Sequence, residues 1–234
     1  ELVNGRGGNR VRSDIVTPTT LRDDGLYALK SMDGVIPKFG IGAVRLNSDI
    51  LTFPQTGNEM RRVKVPAAPG DRYVGWVLLF GPHNGEPLVI CPDGVMQRAR
   101  VGATNGIAAK YMAREDATSL AVLGSGWQAG AQVEAMCAVR GIERLQVYSP
   151  TGQNRNLLAQ TYAEKLGIEA VAVATPMAAA EGADILVSAT NSMTPTITAE
   201  MVKPGMHITS VRGSEIPLDV LQSLDRLVVN TSQP

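Results

Sequence analysis

Only two cysteines occur in the 234 residues, Cys91 and Cys137, far apart and in no metal-ligand spacing. That excludes a disulfide framework and a thiolate zinc centre, and leaves two small core residues suited to a reducing cytoplasm. Neither sign of charge dominates: 22 Lys and Arg stand against 22 Asp and Glu. The chain as a whole therefore has no bulk attraction to nucleic acid or to an anionic membrane surface. No apolar run approaches bilayer-spanning length, and no signal peptide is visible. What remains is a globular composition, 44% hydrophobic and 19% charged, in a chain long enough to bury a sizeable core. The first residue is Glu1 rather than Met.

The stretch from Ser119 to Arg140 reads SLAVLGSGWQAGAQVEAMCAVR. A short apolar strand runs into Gly124-Ser125-Gly126-Trp127-Gln128-Ala129, and an amphipathic helix pattern follows. Gly124 permits a sharp turn, Gly126 lets a pyrophosphate approach the backbone, and Ala129 lets the helix pack on the strand. The helix N-terminus then faces the phosphates with its free N–H groups and the positive end of its dipole. The bland reading is that these glycines only pack a helix on a strand.

Around this motif the chain falls into two halves, 1–117 and 118–234. The first is rich in Gly and Pro. Its short apolar runs are Leu26–Leu29, Ala43–Leu46, Val63–Val65, Val74–Phe80 and Leu88–Cys91. Turn signals at Asp33-Gly34, Pro69-Gly70 and Gly81–Gly85 separate them, the last joining a β-hairpin. This predicts a mostly antiparallel sheet domain, followed by a connecting helix over Arg98–Arg114 in which Ile107, Tyr111 and Met112 share a face. The second half alternates strictly. Strands are predicted at Ser119–Leu123, Arg144–Tyr148, Glu169–Val173, Asp184–Ser188, His207–Val211 and Arg226–Val229. Helical segments lie between them, which means a parallel, doubly wound Rossmann-like sheet. The fold class is thus α/β, with an N-terminal antiparallel (α+β) domain.

The end of the second parallel strand discriminates between nicotinamide cofactors, because an NAD site places Asp or Glu there. Here Tyr148–Arg155 contains no carboxylate. Ser149, Thr151, Asn154 and Arg155 suit a 2′-phosphate, which favours NADP(H) over NAD(H); alternatively, Asn154 and Arg155 only solvate a helix start. Thr190 and Val211 sit at further strand ends, where cofactor contacts are expected. Gln128 either contacts phosphate or begins the helix. Trp127 either packs or shields the cofactor, while His83, His207 and Trp76 read as structural.

Several motifs in order resemble the ornithine cyclodeaminase/μ-crystallin family. They are Tyr27-Ala-Leu-Lys30, Gly85-Glu-Pro-Leu, Pro92-Asp-Gly94, Arg100-Val-Gly-Ala-Thr, Leu123–Ala129, Gly182-Ala-Asp-Ile185 and Lys203-Pro-Gly-Met-His207. The resemblance implies a homodimer whose sheet domain binds substrate and mediates association. Family members usually have further segments at both ends, so either the sequence is a fragment or this protein dispenses with them. Arg100 takes the place of the arginine that grips the substrate carboxylate, a match in shape for a planar guanidinium. Lys30 takes the place of the active-site lysine, and Arg12 that of a second carboxylate-binding arginine, with Arg10 nearby as its competitor.

One position departs from the cyclodeaminases. They carry a catalytic aspartate after the fifth strand, where this chain has Ser214, with Glu215 adjacent and expected to aim elsewhere. The μ-crystallin-like ketimine reductases also have serine there. The expected activity is therefore reduction of the C=N bond of a carboxylate-bearing imine, with Lys30 or a water donating the proton. The competing readings are an NAD-dependent amino-acid dehydrogenase or cyclodeaminase, and a non-catalytic NADPH-dependent binding protein.

Overall fold

The structure, a computed structural model, describes residues 6–10, 12–19, 23–56 and 59–229. Two compact units divide the chain: residues up to Gln55 with Arg62–Gln97 in the first, Thr56–Arg61 with Arg98–Val229 in the second.

The first unit is an antiparallel sheet. Its strands are β1 (Gly8–Asn9), β2 (Ser13–Pro18), β3 (Gly25–Ile36) and β4 (Ile41–Thr52). Two short strands, β5 (Gln55–Thr56) and β6 (Glu59–Met60), form a separate pair, and β7 (Val63–Val65), β8 (Val74–Phe80) and β9 (Pro87–Pro92) complete the large sheet. The order is β1-β3-β4-β8-β9, with β2 added to β3 and β7 to β4. The turn predicted at Asp33-Gly34 does not form, because β3 runs straight through it. Gly34 instead pairs with Ala43 on one side and Asn9 on the other. A Cβ there would lie 3.2 Å from the Gly8 carbonyl oxygen, so its glycine serves close strand approach. The chain reverses at Pro37–Phe39, where Gly40 takes φ 60°.

Alternation divides this sheet into unlike faces. Ala28 and Lys30 on β3 share one face with Arg45, Asn47 and Asp49 on β4, as the pairing register requires. The opposite face is apolar and open: Ile15 is 59% exposed, Trp76 45% and Ile90 66%.

Helix α1 (Gly94–Met112) follows. The face predicted from Ile107, Tyr111 and Met112 is not the buried one, since Ile107 and Tyr111 are exposed. Gly102, Gly106 and Ala109 are buried instead. A Cβ on Gly102 would lie 2.5 Å from the Ala131 carbonyl oxygen, so only small residues let the two helices meet this closely.

The second unit alternates β10 (Ser119–Leu123), α2 (Trp127–Cys137), β11 (Arg144–Tyr148), α3 (Gly152–Leu166), β12 (Glu169–Ala172), α4 (Pro176–Ala180), β13 (Ile185–Ser188), β14 (His207–Ser210) and α5 (Leu218–Ser223). All pairings are parallel, in the order β12-β11-β10-β13-β14. Leu120 and Val122 of β10 face one core with Val133, Met136, Leu145 and Tyr162. Ala121 and Leu123 face the other with Leu186, Ile197 and Val220. Each such fully buried aliphatic side chain contributes about 1.5–3 kcal/mol. Cys137 packs against the first core, and burial pushes its thiol up to about 11, which makes it unreactive. The strand predicted at Arg226–Val229 is not formed. Its apolar side chains are exposed, and it has no strand partner among the described residues. A strand exists only through pairing, so the sequence pattern by itself could not create one.

Candidate active site

Gly124 makes the sharp turn that the sequence predicts, and Gly126 leaves open space beside its backbone. Gly124 has φ 109°, and a Cβ on it would collide with the Ala189 carbonyl oxygen. Only glycine fits where the turn after β10 meets the chain leaving β13, the topological switch point of the sheet. Gly126 is the N-cap of α2 without a side-chain cap, and a Cβ there would enter open space. Ala129, in contrast, is fully buried. The first turn of α2 thus presents backbone N–H groups to a region that a ligand's phosphates can reach. Trp127 is exposed, and Gln128 has a buried Oε1 with no hydrogen-bond partner among the described residues.

The neighbouring turn repeats the arrangement. Helix α3 starts at Thr151, which supplies no side-chain cap. Arg155 folds back so that its guanidinium donates to the Ser149 carbonyl at 2.9 Å, and Asn154 is exposed. Ser149 itself is buried. Its hydroxyl accepts from Ser125 at 2.8 Å and donates to the Thr151 carbonyl at 3.2 Å. Its side chain ties the two turns together rather than facing outward. These residues fit a dinucleotide: two uncapped helix starts at adjacent strand ends, a glycine with open space beside it, and a long cationic side chain at the second turn.

Past β13, Thr190 donates to Glu215 Oε1 from both its backbone N–H and its hydroxyl, each at 2.7 Å. The other oxygen of Glu215 accepts the Arg212 N–H at 2.9 Å, and the residue is fully buried. Glu215 therefore holds two loops together. Ser214 is exposed in the short turn Gly213–Glu215, and Val211 is bound by its N–H to the Ser188 carbonyl at 3.0 Å.

In the first unit, Lys30 is buried and its Nζ lies 2.7 Å from Asp49 Oδ2; Lys64 reaches the same oxygen at 3.0 Å. Burial lowers the Lys30 pKa, Asp49 partly restores it, and Lys64 and Arg62 lower it again. Burial alone would raise Asp49, but the Lys30 hydrogen bond and Lys64 outweigh it and hold the carboxyl below its usual value. Arg45 pairs bidentately with Asp93 at 2.8 and 2.7 Å, and Asn47 adds a bond at 2.9 Å. Despite burial, these bonds keep Asp93 below the ordinary carboxylate range. Gly75 leaves the room, since a Cβ on it would crowd Asn47.

Arg12 is exposed and pairs at 2.9 Å with Asp14, the residue directly opposite Lys30 across β2 and β3. Arg10 pairs with Asp33 at 2.8 Å. Asp33 points to the sheet face opposite Lys30, which separates Arg10 from that group. Arg100 is exposed on α1, and its carbonyl accepts from the Thr104 hydroxyl at 3.0 Å.

The sequence reading missed Asp49, Lys64, Arg45, Asn47 and Asp93. A signal existed: Arg45, Asn47 and Asp49 are polar at every second position of a strand, an alternation that places all three on one face.

A parallel sheet in this order, with a glycine turn after its first strand, defines a Rossmann-type protein of the dinucleotide-binding class. Residues 65–231 match the model of the ornithine cyclodeaminase/mu-crystallin family, and the chain belongs to that family. A Delta(1)-pyrroline-2-carboxylate reductase of Bacillus cereus is 34% identical over 164 residues, covering 68% of this chain and 50% of the relative. The ketimine reductase mu-crystallin of Rattus norvegicus is 27% identical over 181 residues, 77% of this chain and 54% of that protein. The solved Thermococcus litoralis Delta(1)-pyrroline-2-carboxylate reductase, in complex with NADH and L-proline, superposes with a TM-score of 0.73. It is 28% identical, over 89% of this chain and 59% of that one. The chain spans about half the length of the curated relatives it matches.

Proposed function

We propose that this protein reduces the C=N bond of a carboxylate-bearing imine, taking NADP(H) in preference to NAD(H). The observation that carries this reading is the state of the two residues where a cyclodeaminase has its aspartate. Ser214 has no carboxylate, and that of Glu215 is buried and engaged by Thr190 and Arg212. No carboxylate is left on that turn to serve chemistry at a substrate amine. Relatives named for pyrroline-2-carboxylate and ketimine reduction support the same class of reaction.

The dinucleotide, when bound, supplies a hydride to the imine carbon. Everything else falls to the chain's own residues. Trp127, Gln128 and the first turn of α2 hold the diphosphate by backbone N–H groups. Arg155, at the start of α3, holds the 2′-phosphate by exchanging its bond to the Ser149 carbonyl for charge-assisted ones. Arg12 and Arg100 bind the substrate carboxylate. Lys30 Nζ delivers the proton that the nitrogen requires, and Asp49 holds that ammonium in place. The C=N bond takes one hydride and one proton to become CH–NH. The apolar sheet face bearing Ile15, Trp76 and Ile90 supports association of two copies. Such a reductase works in the cytoplasm, where reduced dinucleotide is kept.

The test is NADPH oxidation by the purified protein with pyrroline- and piperideine-2-carboxylate, and in parallel ammonia release from ornithine. Turnover of an imine without ammonia release is expected. Ammonia release from ornithine, or no turnover of either ring, refutes the reading.

A further inference from the structure

Helix α2 starts without the aids a helix start normally has. Its N-cap is Gly126, no side chain caps it, and no acidic residue occupies its first turn. Glycine at that position offers no side-chain acceptor to the first N–H groups. One side chain from another helix reaches this start. Arg98 of α1 donates from Nε to the Trp127 carbonyl at 2.8 Å, and its guanidinium carbon lies 4.9 Å from the centre of the Trp127 ring.

Arg98 is itself fixed from behind. Its Nη2 donates to the Tyr162 hydroxyl at 3.2 Å and lies 3.8 Å from Glu134. Tyr162 donates onward to Glu134 at 2.8 Å, and Lys165 reaches the same carboxylate at 2.9 Å. Burial, reinforced by Glu134, pushes the Tyr162 hydroxyl up to about 12, so it keeps the proton it donates. A Cβ on Gly130 would collide with both Tyr162 and Arg98, so α2 has glycine where this crossing occurs. The arrangement also places a cation at the positive end of a helix, a cost that Glu134 at 3.8 Å offsets in part and a bound anion would offset further.

Resting on the cofactor reading above, we propose that Arg98 is a positioning residue for the dinucleotide. It grips Trp127 by carbonyl and ring, orients the first N–H groups of α2 and thereby sets affinity for the diphosphate. The 2′-phosphate plays no part in it, so NADPH and NADH feel Arg98 equally.

The experiment measures dissociation constants for NADPH and NADH by titration of nicotinamide fluorescence. It uses the wild type, Arg98→Ala, Arg98→Lys and Tyr162→Phe. Iodide quenching in a Trp76→Phe background reports Trp127 alone. Loss of one charged hydrogen bond and one cation–π contact predicts that Arg98→Ala weakens both dinucleotides by the same factor, about tenfold or more. Arg98→Lys recovers little of this, because an ammonium cannot both stack and reach the carbonyl. Trp127 becomes more quenchable in both Arg98 variants. Tyr162→Phe leaves the Trp127 grip intact and binds within about twofold of wild type. Unchanged binding in Arg98→Ala overturns the proposal, and so does an equal loss in Tyr162→Phe, which would mark general loosening of the helices. A wild type that binds neither dinucleotide overturns the cofactor reading, and this proposal with it.

Discussion

Replacing Lys64 by methionine removes one of the two ammonium groups that share the Asp49 carboxylate, and so tests whether Lys30 is the proton donor. Both nitrogens lie within hydrogen-bond distance of one oxygen, at 2.7 and 3.0 Å. They are therefore no more than roughly 6 Å apart, and at an effective dielectric of about 20 their repulsion is about 3 kcal/mol. The Lys64 side chain is 36% exposed, and screening by water reduces this repulsion. With Lys64 gone, Lys30 keeps its proton to higher pH, so the alkaline limb of kcat/KM for imine reduction moves to higher pH. Asp49→Asn acts in the opposite sense. It removes the attraction that offsets burial at Lys30, so the limb moves to lower pH. Profiles of NADPH oxidation against pH for the three proteins decide the matter. If the two variants shift the limb in the same direction, or Lys64→Met leaves it in place, Lys30 is not the group titrating.

Arg155→Gln should weaken NADPH binding about tenfold or more while leaving NADH within about twofold, because only the former has the 2′-phosphate; equal losses in calorimetry would remove Arg155 from that role. Glu215→Gln should lower unfolding free energy by about 2 kcal/mol, since an amide in either orientation can accept from Thr190 or from Arg212 but sets a donor against the other. A variant with wild-type denaturation and abolished turnover would instead make Glu215 catalytic. His207 is buried, and burial, with Arg140, pushes its pKa down from 6.5 to about 4. As pH falls below 6.5 the unfolded chain takes a proton that the folded one refuses, so stability drops by up to about 3 kcal/mol on approaching pH 4. Urea titrations of the wild type and His207→Leu at about pH 7 and about pH 4.5 check this, and an acid-induced loss that persists in His207→Leu counts against it.

Local chemistry made much of the second unit legible from residues alone. The strands Ser119–Leu123 and Arg144–Tyr148 form with the predicted bounds, each a short segment with buried apolar residues between turn signals. Gly124 was readable for the same kind of reason: the turn it makes demands a backbone that only glycine adopts freely. The long strands β3 and β4 were visible only as fragments. Their pairing, not their own composition, carries them through Asp33-Gly34.

Residue type at short spacing was enough for the fold class, the glycine turn and the absence of a carboxylate after β11, while the family resemblance, with Lys30 and Arg100, rests on several separated motifs. Tertiary structure alone decided how the charges are used. It separated Arg10 from Arg12 by sheet face, joined Lys64 to Lys30 through Asp49, and turned Glu215 inward to clamp Thr190. It also drew Arg98, Tyr162 and Glu134 around the first residue of α2. Charged side chains reach several ångströms in any direction, so even where alternation places them on one face their partners are set by which strands and helices pack together.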